Sequence, residues 1–209
     1  MSLWQYVKKS DGIGFFILAA GKCERFGAPK FLFPFGGTPL LLRLFRECLL
    51  INPEHTYIIT GAYHKFVASK VERRRLLYNP HYNEGMASSF RLIASKATEL
   101  KLKAVVVLLS DQPMVDRRML NKLLQCFEEG YEIASFEKED EPCPPSIFGS
   151  TYYKLLAKLK GDIGAKRIIK EAKGKKMVKV KKSLLEDFDT VWDYLRLASK
   201  YLPERRGDP

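Results

Sequence analysis

A run of six apolar residues, Ala104–Leu109, constrains the fold of this chain more than any other feature. All six side chains are aliphatic, so both faces of a strand formed here have to be buried. A strand that is buried on both faces is typical of a parallel sheet covered by helices on each side. The apolar run at residues 15–18 has the same character. We therefore expect an α/β protein with a central, mostly parallel sheet.

Strand-like and helix-like patterns alternate along the rest of the chain. Apolar residues recur at helical spacing over residues 38–51, and Asp116 and Gly130 are a preferred N-cap and a preferred stop for a helix at 116–128. Residues 137–145 are charged and proline-rich, and we expect a surface loop that reorders when substrate binds. The other expected strands cover residues 56–60, 75–78, 131–136 and 176–181. The other expected helices cover residues 62–70, 86–100, 151–159, 163–172 and 191–201.

The composition limits the domain organisation and the class of site. A chain of 209 residues with 46% hydrophobic residues has the size of one domain, with an expected N-terminal extension over 1–12 and a flexible tail over 203–209. The four cysteines form no Cys-x-x-Cys pair, which argues against a zinc site and a disulfide framework. No apolar run approaches the length of a membrane span, and residues 1–14 have no apolar signal core. We expect a cytoplasmic protein without membrane contact.

The chain is strongly basic, with a formal net charge of +12, and residues 154–182 contain twelve Lys and Arg against two acidic residues. Such a surface attracts anionic ligands or nucleic acid. This stretch has no interleaved aromatic residues and no nucleic-acid-binding motif, so nucleic-acid binding is the weaker alternative. Gly12 and Gly14 precede the strand at 15–18, whereas a dinucleotide-binding fingerprint follows its strand. That order excludes a dinucleotide-dependent oxidoreductase of this kind.

The strand at residues 15–18 opens into a loop with the composition of a phosphate-binding site. Residues 18–30 read Leu-Ala-Ala-Gly-Lys-Cys-Glu-Arg-Phe-Gly-Ala-Pro-Lys. Small residues let the backbone approach a ligand closely, and loop N–H groups donate hydrogen bonds to anionic oxygens. Arg25 and Lys30 can neutralise phosphate charge, Arg as a bidentate fork and Lys as a point charge. Lys22 and Arg25 also flank Cys23, and we expect them to lower the pKa of its thiol.

Three further positions stand where the expected elements begin or end. Asp111 follows the strand Ala104–Leu109 at its carboxyl end, where open α/β sheets bind ligands, and Mg²⁺ typically takes one or two protein carboxylates together with substrate phosphates. Gly85 precedes a helix whose free N–H groups and Ser hydroxyls can bind an anion or a base edge. We expect Asp162 to be the N-cap of the helix at 163–172.

Five stretches together resemble the molybdenum-cofactor nucleotidyltransferases, which are sugar-nucleotidyltransferase-like enzymes. They run in the family's order and span almost the whole chain. The resemblance implies a three-layer α/β/α, Rossmann-like nucleotidyltransferase (GT-A-like) fold. It also implies a Mg²⁺-dependent reaction, in which an acceptor phosphate attacks the α-phosphorus of a nucleoside triphosphate and pyrophosphate leaves. The stretches are the loop at 18–30, Asn-Pro-His-Tyr-Asn-Glu-Gly-Met-Ala-Ser-Ser at 79–89, Leu-Leu-Ser-Asp-Gln-Pro at 108–113, Gly-Asp-Ile-Gly-Ala-Lys at 161–166 and Asp-Phe-Asp-Thr-Val-Trp-Asp-Tyr at 187–194.

The resemblance implies roles for individual residues. Arg25, Lys30 and Asp111 are the expected catalytic residues, and Lys30 also binds the nucleotide. Asp111 and Asp189 are the expected ligands of Mg²⁺, with Asp187 as the alternative to Asp189. The other expected nucleotide-binding residues are Leu18, Ala19, Ala20, Gly21, Asn83, Gly85, Met86, Ser88 and Ser110. The expected acceptor-binding residues are Pro145, Gly161, Asp162 and Gly164.

The resemblance favours CTP as the nucleotide and the molybdenum-bound pterin monophosphate as the acceptor. Ala20 stands where the guanylyltransferase branch tends to have a second glycine, and the Gly-Asp-x-Gly-Ala segment is similar to the cytidylyltransferase branch. A Gly-His-Pro-like turn of that branch is replaced by Glu-Pro-Cys-Pro-Pro at 141–145, which keeps Pro145 but has no histidine, so the acceptor stays open. The alternatives are a guanylyltransferase and a transferase of the same fold that acts on another phosphate acceptor. A transient contact with a molybdoenzyme or its chaperone is a further expectation.

Overall fold

The computed structural model describes residues 10–162 and 164–201, and a seven-stranded sheet lies at its centre. Strands are numbered along the chain as β1 (Ile13–Ala19), β2 (Pro34–Phe35), β3 (Thr38–Pro39), β4 (Thr56–Thr60), β5 (Leu76–Tyr78), β6 (Ala104–Leu109), β7 (Ile133–Lys138), β8 (Glu141–Gly149) and β9 (Lys176–Lys179). The central sheet has the order β5-β4-β1-β6-β8-β7-β9, and β2 pairs with β3 in a separate ribbon. All neighbours in the central sheet are parallel except β8, which runs antiparallel to both β6 and β7. The expected mostly parallel sheet is confirmed.

Helices cover both faces of this sheet. In the described residues they are α1 (Leu40–Leu49), α2 (His64–Ala68), α3 (Met86–Glu99), α4 (Arg117–Glu128), α5 (Tyr153–Leu156), α6 (Lys166–Glu171) and α7 (Val191–Tyr201). The buried side chains of α1, α2, α4 and α7 belong to one hydrophobic cluster, whereas those of α3, α5 and α6 belong to the other. The sheet therefore lies between two helical layers, and the expected three-layer α/β/α architecture is confirmed.

The central strand β1 explains why its sequence is apolar on both faces. Phe15 and Ile17 pack into one cluster, and Phe16 and Leu18 pack into the other, because successive side chains of a strand point to opposite faces. β6 alternates in the same way beside it, and Leu18 is in register with Leu109 at the end of that strand. The loops that follow β1 and β6 consequently leave the sheet at the same edge.

The helix expected at 38–51 begins only at Leu40. Thr38 and Pro39 instead pair with Phe35 and Pro34 in the ribbon of β2 and β3. Gly36 and Gly37 form the turn of this ribbon with φ angles of +71° and +81°. Two consecutive positive φ angles are the requirement of a type I′ hairpin turn, and glycine meets it without steric cost.

The expectation that residues 137–145 form a surface loop is wrong, because they form a hairpin of β7 and β8. Phe136 pairs with Cys143 and Lys138 pairs with Glu141, and the turn residues Glu139 and Asp140 have φ angles of +56° and +61°. The prolines of β8 have no backbone N–H to donate. The pairing of β7 with β8 is irregular between Ser135 and Phe136, and strands tolerate prolines at such irregularities. The charged and proline-rich sequence therefore predicts a loop at a place where pairing with β7 stabilises the strand β8.

The remaining boundaries agree with the sequence to different degrees. The Asp116 carboxylate accepts a hydrogen bond from Met119 N at 3.0 Å, which confirms it as the N-cap of α4, and Gly130 follows the helix with a φ of +93°. The helix expected at 163–172 covers only Lys166–Glu171, and Ile163 lies outside the described residues. Most of the extension at 1–12 and all of the tail at 203–209 also lie outside them. Within the described part of the chain, every helix is too short or too polar to cross a membrane.

Candidate active site

A cleft of about 650 Å³ opens at the carboxyl ends of β1 and β6. It lies between the loop after β1, the start of α3 and the turn after β6, which is the edge where open α/β sheets bind ligands. Four expected site residues, Ser88, Pro145, Gly161 and Gly164, are not among the residues that line it. The expected site residues that line the cleft together are Leu18, Ala19, Ala20, Gly21, Arg25, Lys30, Asn83, Gly85, Met86, Ser110, Asp111, Asp162 and Asp189.

The floor of the cleft is the loop after β1, and two contacts fix its backbone. Ala62 N donates a hydrogen bond to Ala20 O at 3.2 Å, and the hydroxyl of Tyr63 donates to Lys22 O at 3.0 Å. Gly61 packs directly behind the loop, since a Cβ at this position would lie 2.4 Å from Ala20 O. Gly21 has open space above it, with no heavy atom within 4 Å of an added Cβ. Hydrogen bonds and close packing therefore hold one side of the loop in place, and at Gly21 the loop faces open space.

Lys30 lies between two carboxylates that are far apart in the sequence. Its Nζ is 2.7 Å from Asp111 Oδ2 and 2.8 Å from Asp189 Oδ1. It also donates a hydrogen bond to the carbonyl of Phe188 at 2.8 Å. The side chain of Lys30 is 12% exposed and that of Asp111 is 16% exposed, so these contacts are largely shielded from water. The structure thus brings together three of the side chains expected to bind phosphate or metal, Lys30, Asp111 and Asp189.

Burial and charge act in opposite directions on this cluster. Burial disfavours the charged ammonium of Lys30, but the attraction of Asp111 and Asp189 outweighs it and raises the pKa of Lys30. Burial raises the pKa of the Asp111 carboxyl, against the opposing attraction of Lys30, and the negative charges of Asp187 and Asp189 add to the rise. At the buried end of the cleft, two carboxylates thus contact one ammonium group.

Arg25 completes this arrangement from the rim of the cleft. Its Nη2 is 2.9 Å from Asp189 Oδ2, so Asp189 is shared between Arg25 and Lys30. The Arg25 side chain is 75% exposed. Because water already surrounds the Arg25 guanidinium, it can exchange the Asp189 carboxylate for a phosphate without a change in its exposure.

The carboxylate oxygens at the buried end of the cleft fit a divalent cation. Asp111 Oδ2 faces Lys30, whereas Asp111 Oδ1 is buried and has no hydrogen-bond partner in the described structure. A buried carboxylate oxygen without a partner is costly, and a cation would satisfy it. Within residues 10–162 and 164–201, no three His, Cys, Asp or Glu side chains converge on one metal position. One or two carboxylates completed by substrate phosphates and water is the usual environment of Mg²⁺.

Ser88 has a structural contact rather than a place in the cleft. Its hydroxyl donates to Gly85 O at 2.8 Å and accepts from Asn79 Nδ2 at 2.8 Å, and the residue is buried. The neighbouring Ser89 lines the cleft and also accepts from Asn79, at 3.1 Å. The sequence analysis expected Ser88 at the nucleotide site, whereas Ser89 is the serine that lines the cleft.

The start of α3 is already capped by another part of the chain. Met86 N donates to Asp162 Oδ1 at 3.2 Å, and Ala87 N donates to Gly161 O at 3.2 Å. The expectation that Asp162 caps the helix after it is therefore wrong, because that helix begins at Lys166 with Ala165 as its N-cap. Two of the N–H groups that were expected to be free at the start of α3, those of Met86 and Ala87, therefore already donate hydrogen bonds within the chain. Gly85 permits the close contact, since its φ is +91° and a Cβ would lie 2.7 Å from the Asp162 backbone.

The two glycines expected to bind the acceptor, Gly161 and Gly164, and Pro145 do not line the cleft. Gly161 contributes its carbonyl to the cap of α3, and a Cβ on Gly164 would lie 3.0 Å from Met86 Sδ. Pro145 is buried in β8. Of the acceptor-binding residues expected from sequence, Asp162 is the one that lines the cleft.

The expected activation of Cys23 is wrong. Burial raises the pKa of its thiol, and this effect outweighs the stabilisation of the thiolate by Lys30. Cys23 nevertheless lines the cleft, with a φ of +54° in the loop. The cleft is also lined by residues for which the sequence predicts no role in binding, and all of them lie within or beside the five stretches that resemble the family. They are Lys22, Glu24, Phe31, Tyr82, Glu84, Ser89 and Leu109.

Comparison with known proteins agrees with this geometry. The family description "MobA-like NTP transferase domain" matches residues 15–177, which is well over half of the chain and includes most of the cleft. The chain belongs to the MobA-like NTP transferase family. It is a nucleotidyltransferase, and its nucleotide substrate is a nucleoside triphosphate.

One relative of this MobA-like NTP transferase and two solved structures of similar fold are informative. The purine catabolism protein PucB of Bacillus subtilis is 31% identical over 197 residues, covering 87% of this chain and 93% of PucB. The structure of Rv0371C from Mycobacterium tuberculosis in complex with manganese has a TM-score of 0.68 at 23% identity, covering 90% of this chain and 98% of that chain. Molybdopterin-guanine dinucleotide biosynthesis protein A from Archaeoglobus fulgidus has a TM-score of 0.66 at 16% identity, covering 90% and 97%. At these identities the two structures show the fold.

Proposed function

We propose that this enzyme transfers CMP from CTP to the terminal phosphate of the molybdenum-pterin cofactor, with release of pyrophosphate and with Mg²⁺ as the metal. The observation that carries the proposal is the cluster of Lys30, Asp111 and Asp189 at the buried end of a cleft floored by a phosphate-type loop. The cluster joins a cation for phosphate oxygens to carboxylates for a metal in one place.

The loop after β1 and its two cations support a triphosphate site in this cleft. The loop at 18–30 offers backbone close to the open space at Gly21, which leaves room for the nucleotide. Lys30 and Arg25 lie on the same side, where they would exchange Asp189 for phosphate oxygens. Charge neutralisation by positioned cations is the main means by which proteins accelerate phosphoryl and nucleotidyl transfer. Lys30 has a raised pKa, because the two carboxylates outweigh the effect of burial, and so carries its charge at neutral pH.

Asp111 and Asp189 are the residues that would hold Mg²⁺. Asp111 offers the unpartnered Oδ1, and Asp189 faces the cleft from the opposite side of Lys30. When bound, the cation supplies neutralisation of phosphate charge and alignment of the phosphates. The manganese complex of the Mycobacterium tuberculosis relative supports a divalent cation in this fold.

The transfer needs no covalent protein intermediate. An oxygen of the acceptor's terminal phosphate forms a bond to the α-phosphorus, and the bond from the α-phosphorus to the bridging oxygen of the β-phosphate breaks. The electron pair of the broken bond leaves with pyrophosphate. The protein's contribution is to orient both phosphates in line and to stabilise the charge of the leaving group, for which Lys30 and Arg25 are placed.

The choice of CTP and of the pterin acceptor rests on family resemblance. Ala20 and the Gly-Asp-x-Gly-Ala segment at 161–165 favour the cytidylyltransferase branch. A molybdopterin-guanine dinucleotide biosynthesis protein shares the fold, which supports the pterin acceptor and also supports GTP as the alternative nucleotide. The third candidate is transfer to another phosphate acceptor, because Pro145, Gly161 and Gly164 do not line the cleft.

The product of the reaction tests the proposal. The purified enzyme is incubated with molybdenum-pterin monophosphate, Mg²⁺ and each of the four ribonucleoside triphosphates, and the products are identified by mass spectrometry. We expect the cytosine dinucleotide of the cofactor and one pyrophosphate per turnover with CTP. A guanine dinucleotide would assign the enzyme to the other branch, and the absence of any pterin dinucleotide would exclude this acceptor.

A further inference from the structure

The carboxylate Asp189 belongs to a segment that has no regular secondary structure of its own. This segment, residues 186–189, lies between the 3₁₀ helix Lys182–Leu185 and the bend at Thr190 that precedes α7. Phe188 anchors its centre: the side chain is fully buried, its N–H donates to Asp111 O at 3.3 Å, and its carbonyl accepts from Lys30. The direction of the two flanking carboxylates, Asp187 and Asp189, has to be set by side-chain contacts.

Lys138 supplies such a contact from the other side of the segment. Its Nζ lies 3.3 Å from Leu185 O and 3.3 Å from Asp187 Oδ1. The Lys138 side chain is 28% exposed, so water screens this ion pair only in part. Asp187 and Lys138 are both absent from the lining of the cleft, whereas Asp189 is present in it. Two lysines thus hold the two carboxylates of one segment in different directions.

We propose that Lys138 is a positioning residue that holds Asp187 outside the cleft, so that Asp189 is the metal-facing carboxylate of the segment. The inference rests on the proposed function, because it assigns which aspartate would accompany Asp111. Lys138, 3.3 Å from Asp187 Oδ1, also offsets part of the negative charge that Asp187 presents to Asp111. Without Lys138, Asp187 has no cation within ion-pair distance in the described structure, and the carbonyl of Leu185 loses its donor.

The hairpin of β7 and β8 gives Lys138 a fixed position. Lys138 is the last residue of β7 and pairs with Glu141 across a two-residue turn. A lysine on a paired strand is displaced less easily than one on a loop, which suits a residue that orients a ligand. The inference therefore also assigns a role to this hairpin, which the sequence marked as a substrate-responsive loop.

Mn²⁺ binding to the full-length protein tests the inference without requiring the acceptor or the nucleotide. Free Mn²⁺ is measured by electron paramagnetic resonance during titration of wild type, Lys138→Met, Lys138→Arg, Asp187→Asn and Asp189→Asn. Loss of a residue that orients a metal ligand typically weakens metal affinity about 10- to 100-fold. We expect a weakening of that order in Lys138→Met and Asp189→Asn. We expect affinity within about twofold of wild type in Lys138→Arg and Asp187→Asn, since the amide oxygen introduced by Asp187→Asn still accepts from Lys138.

A matched control separates positioning from general loss of charge. Lys179→Met removes a lysine of the same sheet that pairs with Glu137 at 3.4 Å and is 81% exposed, and its Mn²⁺ affinity should equal that of wild type. Thermal unfolding checks that each variant is folded; if Lys138→Met is not, Lys138→Gln, which also removes the positive charge, replaces it in the titration.

The outcomes distinguish this inference from the proposed function. Unchanged Mn²⁺ affinity in Lys138→Met, together with weakened affinity in Asp189→Asn, would overturn the role of Lys138 alone. Weakening in Asp187→Asn equal to that in Asp189→Asn would show that Asp187 is a ligand and would also overturn it. Unchanged affinity in Asp189→Asn, or no Mn²⁺ binding by wild type, would refute the metal assignment of the proposed function.

Discussion

Replacement of Lys30 by Met tests whether the buried ion pair is as strong as its geometry indicates. Lys30 Nζ has three oxygen partners within 2.8 Å, and two of them are carboxylates. Removal of one partner of a buried pair costs about 3–5 kcal/mol, because the other charge remains buried and unpaired. Asp111 is the partner that would be left in this state, since Asp189 is 35% exposed and retains Arg25. We therefore expect a loss near the lower end, about 3 kcal/mol.

Thermal unfolding at pH 7 measures this loss. For a chain of this size, a loss of 1 kcal/mol lowers Tm by about 2–4 °C, so Lys30→Met should unfold about 6–12 °C below wild type. Lys22→Met is the matched control: it removes another lysine of the cleft, which is 52% exposed and 3.6 Å from Glu24, and should change stability by less than about 0.5 kcal/mol. In the double variant Lys30→Met/Asp111→Asn the loss caused by Lys30→Met should shrink by about 1–3 kcal/mol, because no carboxylate charge is left unpaired at position 111. Additive effects, or a Tm for Lys30→Met equal to that of the control, would refute the buried pair.

Four further outcomes follow from the site. Asp111→Asn should reduce turnover at least about 100-fold with a small change in Tm, measured by pyrophosphate release, and normal turnover would remove it from the metal site. Although burial opposes the shift, the carboxylates raise the pKa of Lys30 above its ordinary 10.5. Its stabilising contribution is therefore complete below about pH 10.5 and is lost as pH rises through the folded-state pKa. The difference in free energy of unfolding between wild type and Lys30→Met, measured by denaturant titration, should be constant over about pH 7–10 and shrink at higher pH. Gly61→Ala should abolish nucleotide binding in calorimetry, because its Cβ would lie 2.4 Å from Ala20 O, and full affinity would show that the loop yields. Cys23 should react slowly with iodoacetamide at pH 7, because burial raises its pKa, and nucleotide should slow it further; equal rates with and without nucleotide would place it outside the occupied cleft.

The sequence predicts the sheet well because local pattern and tertiary environment agree there. β4 and β6 have the predicted bounds, since their apolar residues are buried on both faces and turn residues end them. The hairpin of β7 and β8 could not be predicted from its own residues. Its turn uses Glu139 and Asp140 at positive φ, where the usual signal is Asn-Gly or Asp-Gly. Pairing with the rest of the sheet supplies what the local sequence lacks.

The site was predictable where a residue's role follows from its place at the end of a strand. Asp111 and the loop after β1 have such places, and both line the cleft. The contacts within the site were not predictable, because Lys30 and Asp189 are 159 residues apart and meet only when α7 packs on the sheet. Asp162 shows the opposite error: it has the composition of a local N-cap, but its carboxylate accepts a hydrogen bond from Met86 N, 76 residues away. The cytoplasmic location and the single-domain organisation remain predictions.

Calorimetric titration with CTP, GTP, ATP and UTP, each with and without Mg²⁺, tests whether this cleft is the site of nucleotidyl transfer. We expect CTP to bind in preference to the other three nucleotides, and we expect this binding to depend on Mg²⁺ and to be weakened in Asp111→Asn. A preference for GTP would retain the cleft and change the branch. No binding of any nucleotide in the presence of Mg²⁺, or equal binding by wild type and Asp111→Asn, would contradict the assignment of this cleft as the site of nucleotidyl transfer.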